Sequence, residues 1–217
     1  MTRLICFDVD STLLGVESLD FAIAMSGTSG AAQMVESITN AGMSGAMDLR
    51  TSLTARLDLA KFSRSDVARA AVALKDTPTP GMADLLNDLR KCGDQVVAVS
   101  GGFEELLRLV LRDLGFVPGA IRTNRFVWSG DEVAGFDTEN PLSGNGGKAL
   151  VLTQLRRITE ASEVVMVGDG VTDVEAFEAG AAHRFIGFGG VVRRDAVAAR
   201  APEFADDVGE LRAALLT

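Results

Sequence analysis

The sequence predicts an α/β protein with a Rossmann-like, mainly parallel sheet core, an inserted helical cap and a small β-hairpin. Three observations predict it. Short apolar runs rich in β-branched and aromatic residues alternate with helical stretches, the pattern of a parallel sheet covered on both faces. From about Glu17 to Lys75 the alternation stops, and Ala, Met and Leu recur at helical spacing with no strand-like run. Later, two strand-like runs flank Ser129-Gly130-Asp131.

Leu4-Ile5-Cys6-Phe7 is the first buried strand, and it runs directly into Asp8-Val9-Asp10-Ser11-Thr12. Side chains two apart on a strand share a face, so the two carboxylates are expected side by side. At the carboxyl end of an open α/β sheet that face meets the ligand crevice. Carboxylates so placed repel unless a cation or a proton intervenes. A Mg²⁺ ion and a proton on one Asp would resolve the conflict and supply a nucleophile and a general acid. The plain alternative is an acidic turn. The helical stretch that follows, placed just after this strand, is expected to overhang the site as a cap. Its Met25, Met34, Met43 and Met47 read as core filler.

Thr79-Pro80-Gly81 opens a helix, and Gln95 to Ser100 forms the second strand. Phe103 to Leu114 is a helix with Leu106, Leu107, Val110 and Leu111 on one side. Asn124–Trp128 and Glu132–Phe136 make a hairpin with a three-residue turn. Lys148 to Ile158 is helical, and Glu163–Gly168 and Arg184–Phe188 are buried strands. The expected division is a core of 1–15 and 76–217, with the hairpin at about 122–137, and a cap of 16–75.

The 217 residues carry a net charge of -9 and are 47% hydrophobic. An acidic chain argues against a nucleic-acid partner. It also requires any anionic substrate to find a local basic pocket or a metal. The first apolar run is too short for a signal peptide, and no window is long enough for a membrane span. Cys6 and Cys92 are isolated and read as free thiols. The expectation is a cytoplasmic protein, monomeric or homodimeric, that acts on a small molecule. His183, the only histidine, lies far from the acidic motifs and reads as structural.

Three further pieces carry chemistry. Ser100-Gly101-Gly102 ends the second strand at a helix start, which suits an anion or, equally, a plain N-cap. Ser143-Gly144-Asn145-Gly146-Gly147-Lys148 lacks Walker spacing. It puts a cation where the helix dipole disfavours one, which suggests phosphate neutralisation; a solvated lysine is the alternative. Gly168-Asp169-Gly170-Val171-Thr172-Asp173 closes a third strand. Asp169 could join Asp8 on a metal, and Asp173 could hold Lys148 or a metal-bound water. A turn with a helix cap would look the same in isolation. Three strand ends bearing such groups converge in one sheet.

In this order, these four motifs resemble those of the haloacid dehalogenase superfamily of phosphohydrolases, and specifically its phosphoserine phosphatase branch. The resemblance covers nearly the whole chain and extends to Ala134-Gly135-Phe136-Asp137 and Phe185-Ile186-Gly187-Phe188-Gly189-Gly190. It implies Asp8 as nucleophile, Asp10 as acid/base, and Ser100 and Lys148 on the phosphate. It implies Mg²⁺ on Asp8, Asp169 and the main-chain carbonyl of Asp10, with Asp173 supporting from behind. In the cap it implies Glu17 for a substrate ammonium and Arg56 for a carboxylate. Met43, Ser44, Gly101, Gly102, Thr172 and Arg194 match further substrate-lining positions. Two features depart from the family pattern: Ser44 stands where Gly is common, and the lysine loop is Gly/Asn-rich. The implied activity is hydrolysis of O-phosphoserine through an aspartyl-phosphate. The rivals are a phosphatase or phosphotransferase for another small phosphometabolite, and a non-enzymatic phosphometabolite-binding module.

Overall fold

Apolar runs with both faces covered become the strands of a parallel sheet. The computed structural model describes residues 2–27 and 32–216. In chain order the strands are β1 (Arg3–Phe7), β2 (Gln95–Phe103), β3 (Ile121–Asn124), β4 (Phe126–Ser129), β5 (Glu132–Phe136), β6 (Glu163–Gly168), β7 (Arg184–Phe188) and β8 (Glu203–Ala205). Six form one all-parallel sheet in the order β3-β2-β1-β6-β7-β8, and β4 and β5 pair antiparallel on their own. The edge strands β3 and β8 were not legible as apolar runs. They are short and only half-buried, so their sequences carry polar residues.

The helices are α1 (Ser18–Met25), α2 (Ala32–Ser44), α3 (Leu49–Asp58), α4 (Arg64–Ala73), α5 (Met82–Lys91), α6 (Glu104–Asp113), α7 (Gly147–Thr159), α8 (Val171–Glu178), α9 (Asp195–Ala198) and α10 (Val208–Leu216). Strand side chains alternate between the faces. Ile5, Phe7, Val165 and Val167 join one apolar cluster with α5, α6 and α10. Leu4, Cys6, Val164 and Met166 join another with α7 and α8. Among the described residues, no helix is long and apolar enough to cross a membrane.

Two features position the site. The first is register: Phe7 of β1 pairs with Ala98 of β2 on one side and Val167 of β6 on the other. The residues just beyond, Asp8, Ser100 and Asp169, therefore emerge together. The second is the seating of α1 to α4. Helix α4 packs on α6, and the first cluster runs without a break into Leu53, Phe62 and Val67. The hairpin grips the link between α3 and α4. Val133 N–H donates to Phe62 O at 2.9 Å and Arg64 N–H to Asp131 O at 2.9 Å. The Arg64 guanidinium lies 4.2 Å over the Trp128 ring. Ser129 pairs with Glu132, so the turn has two residues, Gly130 and Asp131, rather than the three expected. Gly130 has φ +61, which permits the tighter turn. Cys6 is buried and Cys92 exposed, both free. The His183 ring accepts the Val164 N–H at 2.8 Å, a structural role.

A shared cluster predicts shared stability. Phe62 is buried at the junction, and Phe62→Ala is expected to cost about 3–5 kcal/mol. Thermal unfolding of that variant should remain one transition, shifted down. Two separated transitions would show that the α1–α4 segment holds itself together independently.

Candidate active site

Strand β1 stops at Phe7, and Asp8 begins a wide turn over Val9–Leu13, closed by Leu14 N–H to Val9 O at 2.9 Å. Ser11 takes φ +51 within it. This corrects the strand reading of Asp8-x-Asp10. The turn lifts the chain toward α1, so the two carboxylates face different partners. Asp8 Oδ1 meets Lys148 Nζ at 2.9 Å. Asp10 Oδ1 instead accepts the Ser18 N–H at 2.9 Å, at the start of α1.

Lys148 is the second residue of α7 and is buried. Its ammonium lies between Asp8 and Asp173, 2.5 Å from Asp173 Oδ1. Burial disfavours that charge, but Asp173 and Asp8 together overcome the penalty and hold the Lys148 pKa above its ordinary value. This accounts for a lysine at an electrostatically poor helix position. Two glycines permit the arrangement. A Cβ on Gly147 would stand 1.8 Å from Pro141 O, and one on Gly168 would stand 2.3 Å from Asp173 Oδ2.

Asp169 follows β6. It accepts the Thr12 hydroxyl at 3.1 Å and the Arg194 Nε–H at 2.8 Å. Asp8, Asp169 and Asp173, all buried, each bring a carboxylate oxygen within 4.8 Å of the others, so the cluster could hold a metal ion. Carboxylate oxygens are hard donors, suited to a hard cation. Burial pushes Asp169 up to about 6, with Asp8 adding and Arg194 and Lys148 opposing. Burial and Asp8 raise Asp10 to about 7 against the hydrogen bonds of Ser18. Glu17 rises to about 8 through burial and the neighbouring Asp10 and Asp169. Asp173 is raised as well, by burial first.

A single cleft brings together Asp8, Asp10, Glu17, Met43, Arg56, Ser100, Gly101, Gly102, Lys148 and Thr172. Ser100 Oγ accepts the Gly102 N–H at 2.9 Å, which leaves its own O–H to donate. Arg194 reaches the rim, with Glu17 Oε1 at 3.3 Å and Asn40 Oδ1 at 3.1 Å. Ser44 is not brought in. It is exposed on the last turn of α2, and its hydroxyl donates to Ala41 O. The sequence reading missed the apolar lining, Leu19, Leu49, Leu53 and Phe103, which carries no chemical signature. It also missed Ser11, whose hydroxyl donates to Glu17 at 2.8 Å, and Asn145, which accepts the Leu49 N–H at 2.9 Å and ties the lysine loop to α3. Asn145 lay inside a loop already singled out, but its partner is 96 residues away.

Residues 2–180 match the family model of the haloacid dehalogenase-like hydrolases. The chain belongs to that family. Among its relatives, this hydrolase is 37% identical over 213 residues to a phosphoserine phosphatase of Bos taurus, covering 97% of this chain and 92% of the relative. Its fold superimposes on a phosphoserine phosphohydrolase-like protein from Francisella tularensis with TM-score 0.89 and 28% identity over 100% of both chains. It also matches a phospho-aspartyl intermediate analogue of phosphoserine phosphatase with TM-score 0.83 and 26% identity, covering 97% of each.

The raised carboxyls make the metal-free hydrolase pH-sensitive. Asp10, Glu17 and Asp169 stay protonated in the folded state at pH values where the unfolded chain has already lost those protons. Folding then takes up protons, so stability is expected to fall as pH rises from about 4 to about 8. The lowered carboxyls, Asp48, Asp66 and Asp88 among them, act below that window. Melting curves in EDTA should show Tm dropping from pH 5 to pH 8. Added Mg²⁺ should raise Tm more at pH 8 than at pH 5, because its ligands must be deprotonated. A Tm that is flat with pH, or a larger Mg²⁺ effect at pH 5, would contradict this electrostatic picture.

Proposed function

We propose that this hydrolase is a Mg²⁺-dependent phosphomonoesterase that converts O-phosphoserine to serine and phosphate through an aspartyl-phosphate. One observation carries the chemistry: buried Asp8 is held by Lys148 in a cleft that Asp10 also lines. The similarity to phosphoserine phosphatases, one of them an analogue of a phospho-aspartyl intermediate, supports the substrate and the intermediate.

In the first step an Asp8 carboxylate oxygen attacks phosphorus and the ester P–O bond breaks. Asp10, whose pKa of about 7 keeps a proton available near neutrality, transfers it to the departing serine oxygen. In the second step the Asp10 carboxylate takes a proton from water as the water oxygen attacks phosphorus. Phosphate leaves and Asp8 is restored. Lys148, the Ser100 hydroxyl and the Gly101 amide surround the equatorial oxygens, where charge is greatest, and Gly102 N–H holds Ser100 Oγ. Mg²⁺, held by Asp8, Asp169 and the main-chain carbonyl of Asp10, would supply further charge neutralisation there. Asp173 keeps Lys148 in place.

The cap residues supply selectivity. Glu17 can receive a substrate ammonium, whose charge would favour loss of the Glu17 proton, and Arg56 can grip a carboxylate through two N–H groups. Leu49, which packs against Gly101 over the phosphate end, and Leu53 exclude water from the closed cleft.

Asp8→Asn is expected to abolish phosphate release while the protein still folds, since an amide cannot form the acyl-phosphate; normal turnover by that variant would rule out the mechanism. EDTA should remove activity and Mg²⁺ restore it, as followed by phosphate release. Arg56→Ala should lower kcat/KM for O-phosphoserine by roughly two or more decades, the cost of losing a buried charge-assisted contact. Hydrolysis of p-nitrophenyl phosphate, which lacks the carboxylate, should fall far less. Equal losses on both substrates would remove phosphoserine as the preferred substrate.

A further inference from the structure

Arg56 has partners that the chemistry described so far does not use. The residue is 3% exposed, so its charge needs compensation from within the cap. Nη1 lies 3.1 Å from Asp20 Oδ1 and 3.2 Å from Thr39 Oγ1, and the Thr39 hydroxyl donates to Asp20 Oδ2 at 2.7 Å. Nε points to Ser52 O at 3.4 Å. Asp20 is on α1, Thr39 on α2 and Arg56 on α3, so this closed triangle joins three cap helices. The triangle and Ser52 engage Nη1 and Nε, and among the described residues none bonds Nη2, whose N–H groups are left for a ligand in the cleft that Arg56 lines. Asp20 does not line that cleft. It faces the adjoining groove of Val16, Phe21 and Val35. Glu17 stands just before α1 and Asp20 in its first turn, so one short segment presents a carboxylate to the cleft and a second one to the arginine.

We infer that Asp20, backed by Thr39, positions Arg56 for the substrate carboxylate and so helps to set the preference for an amino-acid phosphate. The inference rests on the substrate proposed above. Arginine has a long, rotamer-rich stem, and a directed contact through Nη2 needs its plane held before the ligand arrives. Without Asp20 the guanidinium loses its partner at Nη1 and is free to take other rotamers, which weakens the carboxylate contact and leaves the groups for the leaving oxygen and the ammonium in place. Asp20 is a positioning residue, acting through Arg56 alone.

The test compares O-phosphoserine with phosphoethanolamine, which keeps the phosphate and the ammonium but lacks the carboxylate. Asp20→Asn should raise KM for O-phosphoserine, lowering kcat/KM about tenfold or more, with kcat changed little. Its kcat/KM for phosphoethanolamine should stay within about threefold of the parent. Thr39→Val should show the same pattern at smaller size, and adding Asp20→Asn to Arg56→Ala should cost O-phosphoserine nothing more. If Asp20→Asn impairs both substrates alike, or neither, the positioning role is wrong. If it does not fold, Thr39→Val decides by the same criterion. If Arg56→Ala itself impairs both substrates alike, the substrate proposal fails. A selective Arg56→Ala beside an unselective Asp20→Asn overturns the role of Asp20 only.

Discussion

The buried contact of Lys148 with Asp8 and Asp173 is the constraint on which the rest of the molecule depends. Asp8, Asp10, Asp169 and Asp173 all end up inside the protein at one edge of the sheet. Such a concentration of negative charge away from water is costly unless cations compensate it. Lys148 answers two of the four, and Arg194 answers Asp169. Asp10 accepts the Ser18 N–H and is drawn weakly to Arg56, and burial and Asp8 still raise its pKa to about 7. The same burial that is costly to the folded state thus leaves Asp8 with a cation for a partner and Asp10 able to carry a proton. Separation of two acids by environment is a general route to acid/base division of labour.

The scaffold serves that contact at several levels. Adjacent parallel strands deliver Asp8, Ser100 and Asp169 from neighbouring positions in the sheet, so the order β2-β1-β6 already brings the motifs together. Helix α7 must start close to the 141–143 segment for Lys148 to reach inward, and Gly147 makes that approach sterically possible. The wide turn after Asp8 then sends the chain up into α1. That turn links the core to the cap: Asp10 is held by the first turn of α1, and Glu17 stands just before it.

The cap is fastened unevenly. Helix α4 shares its apolar face with α6, and the hairpin pairs with the Phe62–Arg64 link, so this side is continuous with the core. Helices α2 and α3 join the same apolar cluster through Val35, Leu49 and Leu53, and add polar contacts over the cleft, Asn40 with Arg194, Leu49 with Asn145 and Arg50 with Thr138. Polar contacts are exchanged for water more cheaply than an apolar face is exposed.

Local pattern alone determined the class of this protein. Short continuous apolar runs and helical hydrophobicity marked the central strands and the main helices, because a strand buried on both faces has almost no freedom in composition. The edge strands β3 and β8 escaped, because an edge tolerates polar residues. Motif chemistry marked Asp8, Asp10, Ser100, Lys148 and Asp169 for the same kind of reason: a carboxylate pair, a lysine at a poor helix position and glycine-rich strand ends are costly unless used. What the sequence could not supply was direction and partnership. Asp8 and Asp10 look like neighbours on one strand, yet a turn with Ser11 at φ +51 sends them to Lys148 and Ser18. Ser44 sits in a promising segment but points to solvent from the end of α2. Asp20 and Thr39 are unremarkable polar residues until α1, α2 and α3 pack and bring them to Arg56. Residue type and spacing are local properties and can be read along the chain; which charge answers which is decided only when distant segments share one desolvated space.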